Sequence, residues 1–204
     1  MAQTLTIYLV NQAGDLSGRF DASHRTTCAA TLKTYFEAVI KGVSRYNAVE
    51  VKYDGKQADP GAFDFVCYLL TSQKGSIVAK KGAGGTLGIS GSTMLAAADK
   101  TMISEVYLQQ IVQGGDPRGN ATANRETLVA NCIMHELGHN LLDASTPVVI
   151  DVHKLKGGKI LRDTDHSALT GNDAPNETDN ASFRTGFGRR AAGVKQYTAD
   201  MPTT

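Results

Sequence analysis

His135, Glu136 and His139 are the residues of this chain whose types and spacing are best suited to chemistry. In the string His135-Glu136-Leu137-Gly138-His139 the histidines are four apart, and on a helix such residues share a face with Cβ atoms about 5–6 Å apart. Two imidazoles placed this way can converge on one cation at Zn–N distances of about 2.0–2.1 Å. Glu136 lies one position further on, about 100° around the helix. That offset keeps its carboxylate off the ion but close enough to take a proton from a metal-bound water. The pattern therefore reads as zinc held beside a general base, a device for hydrolysing peptide bonds. The bland alternative, a core helix whose histidines merely hydrogen-bond, buries two imidazoles and a carboxylate at a cost that a metal would offset.

Such a device needs a long buried helix, and residues 124–142 predict one. Asn124 stands where a cap belongs, Glu126 puts an acid in the first turn, and the interior has no proline. Leu128, Cys132, His135, His139 and Leu142 fall on one face, while Ala130, Met134, Leu137 and Leu141 gather on the opposite side. A helix that is apolar on two sides is buried.

Upstream, Leu5 to Val10 is a strand by its β-branched and aromatic content. Thr27 to Tyr46 carries a helical pattern through Leu32, Tyr35, Phe36, Val39, Ile40 and Val43. Val49 to Tyr53 and Phe63 to Thr71 read as strands, Ser76 to Ala79 and Leu87 to Leu95 as strands flanking a glycine-rich loop, and Met102 to Leu108 as a further strand. The order is β-α-β-β-β-β-α. The loop Lys81-Gly82-Ala83-Gly84-Gly85-Thr86-Leu87-Gly88 has neither the spacing of a P-loop nor that of a dinucleotide fingerprint. It suits a hairpin or bulged edge, whose open backbone groups could hold an extended substrate as an added strand.

With 204 residues, 41% of them hydrophobic, the chain can bury one sizeable core, and a net charge of +1 argues against nucleic-acid or membrane-surface partners. No apolar run approaches the length of a membrane span, and the first residues lack the regions of a signal peptide, so the expected setting is cytoplasmic or reached by a signal-less route. Cys28, Cys67 and Cys132 cannot all pair and form no CxxC. Cys67 and Cys132 read as small core residues; Cys28 is open between a core role and a sulfur that caps the metal in a latent form.

His135-Glu-Leu-Gly-His-Asn-Leu141 resembles the HELGHNLGxxH signature of the metzincin clan of zincin metallopeptidases, and the strand and helix order before it is similar to that clan's upper subdomain. The likeness spans residues 4–142. It implies an α+β, zincin-like single catalytic domain over residues 1–204. Residues 1–142 would form the upper subdomain, a mixed twisted sheet with an N-terminal helix and a central active-site helix. Residues 143–204 would form a smaller, irregular lower subdomain. It also implies a protein or peptide substrate and a Zn2+ cofactor. Beyond the helix the chain departs from the signature: Leu142 stands for its glycine, Ser145 for its third histidine, and no methionine follows at Met-turn distance.

A catalytic zinc takes three protein ligands and keeps one open position, so a third ligand must come from downstream. Residues 148–155 and 160–165 flank Gly157-Gly158 and predict a β-hairpin over 148–165, which returns the chain to its starting point and delivers His166. His166 is the favoured third ligand; His153, Asp143, Asp151, Asp173 and Glu177 are the alternatives. Asp143 is the weakest, since a continued helix would place it about 12 Å along the axis from His135. Asp163 and Asp165 could orient ligand histidines. The stretch 171–180 reads as a surface loop, His24 as a polar-loop residue, and Tyr197 as a candidate oxyanion donor. The expected function is that of a zinc endopeptidase with Glu136 as general base. The alternative is a structural or toxin-associated protein that keeps its zinc after catalysis has lapsed.

Overall fold

The computed structural model describes residues 2–54, 64–76, 88–90, 104–112, 124–142, 152–162 and 169–189. Strands β1 (Gln3–Asn11), β2 (Tyr46–Asp54), β3 (Phe65–Leu70), β4 (Gly88–Ser90) and β5 (Ser104–Tyr107) join in one sheet of order β2-β1-β3-β5-β4. The first four in that order run parallel, and β4 pairs antiparallel with β5 at the edge, with Ile89 opposite Glu105. Helices α1 (Ala22–Ile40), α2 (Leu108–Val112), α3 (Arg125–Leu142) and α4 (Glu177–Arg189) complete an α+β architecture. No described helix is long and apolar enough to cross a membrane.

The strand alternation sorts the apolar residues onto two faces. Leu5, Ile7, Leu9, Phe65, Cys67, Leu69 and Val106 enter the main core with α1 and α3. Val10, Val66, Tyr68, Leu70 and Tyr107 cluster on the other face. A parallel strand buried on both sides must be an unbroken apolar run, and all six residues of β3 are buried.

Helix α1 begins earlier and ends sooner than the apolar pattern from Thr27 to Tyr46 suggests. Asp21 accepts from the amides of Ser23 at 2.9 Å and His24 at 3.1 Å, which starts the helix at Ala22. Gly42, at φ +123°, takes a conformation closed to most L-residues, so the helix stops at Ile40 and Tyr46 already belongs to β2. The run from Met102 also divides: after Tyr107 the chain turns into α2, which the strand reading missed.

Helix α3 is the central element, buried continuously from Leu128 to Leu142. Its first intrahelical bond runs from the Leu128 amide to the Asn124 carbonyl at 3.0 Å, while the Asn124 side chain reaches Asn172. Helix α4 lies against the end of α3. A Cβ on Gly186 would come within 2.6 Å of Leu141, so the glycine is what allows the two helices to approach this closely. Phe183 and Phe187 carry α4 into the core, packing edge-on against Phe36 at 5.2 Å and tilted against Phe65 at 5.8 Å between ring centres.

Two expectations are corrected. The predicted hairpin over 148–165 is not formed where the chain is described: Val152–Lys154 is a single 3-10 turn and residues 155–162 are bends and coil without a strand. Gly157 does make a turn, at φ +85°, but a Cβ on Gly158 would come within 1.8 Å of the Leu161 carbonyl oxygen. The chain thus curls onto itself over four residues instead of extending into paired strands. Nor is the acidic stretch 171–180 all surface loop. Helix α4 starts at Glu177, and Asp179 is fully buried.

Candidate metal centre

Helix α3 sets His135 and His139 one turn apart on a buried face, with 0% and 6% of their surfaces exposed, and Glu136 beside them at 1%. The turn Val152–Lys154 then brings in the exposed His153 from outside the helix. The three Nε2 atoms form a nearly equilateral triangle: 3.1 Å between His139 and His135, 3.2 Å between His139 and His153, and 3.3 Å between His135 and His153. Nitrogens at about 2.0–2.1 Å from one tetrahedral ion lie roughly 3.3 Å from each other, so the triangle has the size a metal requires. The rings are disposed for it as well, His139 standing edge-on to both of the others.

Tautomers support the same reading. His135 Nδ1 lies 2.8 Å from the Ile160 carbonyl oxygen, an acceptor only, so Nδ1 carries the proton and Nε2 presents a lone pair to the centre of the triangle. Lone pairs that converge at such distances are unfavourable without a proton or cation between them. The set His135, His139 and His153 can therefore hold a metal ion.

The Ile160 carbonyl is itself positioned by a buried carboxylate on α4. Asp179 accepts from the amides of Lys159 at 3.0 Å, Ile160 at 3.2 Å and Leu161 at 2.8 Å. It also accepts from the Asn176 amide at 2.8 Å, while the Asn176 side chain accepts from the Asp179 amide at 3.1 Å. That reciprocal pair is a capping box, and the pattern Asn-x-x-Asp before a helix is its sequence signal. The same Asn176 side chain donates to the Gly157 carbonyl at 2.7 Å. Leu161, next along, lies over Gly138 of α3, where a Cβ would come within 2.4 Å of the leucine methyl.

The other candidates are distributed differently. His153 was an alternative ligand and now completes the triangle. His166, Asp143, Asp151, Asp163, Asp165 and Tyr197 lie outside the described residues. Asp173 accepts from the Thr170 amide at 2.7 Å, and Glu177 pairs with Arg184 on the surface, so both are engaged elsewhere. His24 is not in a loop but in the first turn of α1, between Asp21 at 2.8 Å and Glu126 at 3.5 Å. All three cysteines are buried, and none of them is in a disulfide. Burial and the nearby charge of Glu126 push the Cys28 thiol far up, and burial with Glu136 does the same to Cys67. Such thiols are poor ligands and nucleophiles, and Cys28, packed in the core from α1, is no cap for the metal.

Sequence reasoning overlooked Asp179, because an acidic residue in an Asn-rich stretch reads as solvated. On the opposite face of the sheet the buried Glu105 accepts from Tyr107 at 3.0 Å and from Ser76, a polar cluster away from the triangle. No family model matches this chain and no curated protein matches it, so its chemistry is read from its own residues.

Proposed function

We propose that this chain is a zinc-dependent peptidase of zincin-like architecture, with His135, His139 and His153 holding the ion and Glu136 acting as general base. The observation that carries the reading is the triangle of Nε2 atoms at 3.1–3.3 Å, two of them on a helix that also bears a buried carboxylate next to His135. Imidazole suits zinc among the common divalent ions, and three protein nitrogens leave one position of a tetrahedron for water or substrate. Zinc bound there supplies Lewis acidity, which lowers the pKa of water and polarises a carbonyl. Glu136 takes up the proton of the attacking water and returns it to the leaving amine.

The sheet supplies a means of presenting a peptide. Among the described residues strand β4 ends the order β2-β1-β3-β5-β4 and contacts α3, so an extended substrate pairing with its outer side would run close to the metal-binding helix. The test is hydrolysis of an unstructured protein with and without chelator, in the parent and in Glu136→Gln. The parent is expected to cleave in a chelator-sensitive manner, and the variant to keep its zinc while losing activity by about 10²-fold or more. No cleavage by the zinc-loaded parent would point to a site kept for structure alone.

A further inference from the structure

We infer that Asp179 is a positioning residue for the metal centre: through the backbone of residues 159–161 it holds the Ile160 carbonyl against His135 and, with Asn176, secures the segment that carries His153. The inference rests on the metal-binding reading of the triangle, not on peptide hydrolysis. Two of the three ligands come from one helix, and the third comes from a segment that has no strand or long helix among its described residues, 152–162. What holds that segment is the N-terminus of α4. Four backbone amides, those of Lys159, Ile160, Leu161 and Asn176, converge on the two oxygens of one carboxylate with no exposed surface. Asn176 adds a fifth tie at Gly157.

A neutral helix cap would not need this arrangement. A capping box calls for two reciprocal bonds, and the Asn176 and Asp179 pair already makes them. The remaining three amides belong to a segment 18 to 20 residues earlier in the chain, and the middle one is the amide of the residue whose carbonyl orients a ligand. Glycine at 158 fits the same design, since a Cβ there would come within 2.7 Å of the Asp179 carboxylate as well as striking the Leu161 carbonyl. A carboxylate is the side chain that can accept all four amides. Asparagine, the same shape, offers one oxygen and turns an NH2 group toward amide donors. Partners that orient a ligand histidine typically govern metal affinity by 10- to 100-fold.

The experiment measures zinc affinity of the full chain by competition with a chromophoric chelator, and the visible spectrum of the cobalt-substituted protein. It compares the parent, Asp179→Asn, and Ala181→Gly, an exposed change that weakens α4 and leaves the Asp179 carboxylate in place. Expected is a loss of zinc affinity of about tenfold or more and an altered cobalt spectrum in Asp179→Asn only. Both variants are expected to melt earlier as apoproteins. If Asp179→Asn melts earlier but binds zinc as the parent does, with the parent's spectrum, Asp179 merely caps a helix and the inference is overturned. Should Asp179→Asn fail to fold, Asn176→Ala decides, because it cuts the Gly157 tie and leaves the carboxylate in place; affinity no lower than in Ala181→Gly overturns the proposal. A parent that binds no zinc removes the metal reading itself, whereas a parent that binds zinc without cleaving peptides removes only the peptidase.

Discussion

His153→Ala separates a metal ligand from a bystander more cleanly than any other single change, because His153 is exposed while the other two histidines of the triangle are buried. Removing His135 would orphan the Ile160 carbonyl, at about 1–3 kcal/mol for an unsatisfied buried acceptor, and open a void in the core; loss of metal would then be mixed with loss of fold. His153 leaves little behind, so the apoprotein is expected to keep its stability to within about 0.5 kcal/mol. The metal term is larger. A four-ligand structural zinc contributes about 10–16 kcal/mol, roughly 3 kcal/mol per ligand, which is about two decades in Kd. The assay is a zinc competition titration paired with apoprotein melting curves, for His153→Ala and for His166→Ala in parallel. The expected pattern is a hundredfold loss in the first with an unchanged apoprotein Tm, and parental affinity in the second. Parental affinity in His153→Ala, with the loss appearing in His166→Ala, would refute the reasoning and return the third ligand to the segment beyond Arg162.

The three cysteines should be unreactive toward a thiol reagent in the folded protein and all react once it is denatured, since each is buried and burial holds the Cys28 and Cys67 thiols far above their ordinary range. Rapid modification of the native chain would contradict the core packing of α1 against β3. Asp21 gives a pH signature: amide and ring hydrogen bonds from His24 hold its carboxyl below the ordinary 3.8 in the folded state. A depressed folded pKa gives stability that is present above the unfolded value and lost as pH falls through the folded one. The advantage of the parent over Asp21→Asn should therefore begin to fall as pH drops toward 3.8 and disappear only once pH passes below the folded value, in urea melts of the apoprotein. An advantage that grows with acidification would reverse the sign.

The central helix and two histidines of the triangle were legible because their chemistry is local: spacing on one helix fixes the geometry of His135 and His139 without reference to the rest of the chain. The strands of the sheet were legible for a similar reason, although their ends were not. Tyr46 joined β2 and not α1 because Gly42 broke the helix, a backbone effect that hydrophobic periodicity does not register. The third histidine was harder. Gly157-Gly158 between alternating apolar residues has the form of a hairpin, but Gly158 is there to let the chain curl past Leu161 and Asp179, a tertiary contact with no trace in local sequence. His153 was accordingly placed behind His166 as the third ligand. Asp179 was hidden by composition, since its surroundings are polar and only its amide partners, far away in the chain, make it a core residue. Its local signal was the Asn-x-x-Asp spacing that caps α4.

The division of the triangle between a buried helix and an exposed turn has a kinetic consequence. His135 and His139 are set in place as soon as α3 is packed, whereas His153 sits at the rim and is the one nitrogen that can swing away without disturbing the core. If the triangle takes up an ion, capture would be stepwise, with His135 and His139 on the helix engaging first and His153 closing from the turn. Release would retrace the path, beginning at His153. A competing chelator would act on the two-coordinate form, so the rate at which metal leaves is set by how often that turn opens. Equilibrium affinity and metal lifetime would therefore respond to different residues, the first to all three imidazoles and the second chiefly to whatever tethers residues 152–162.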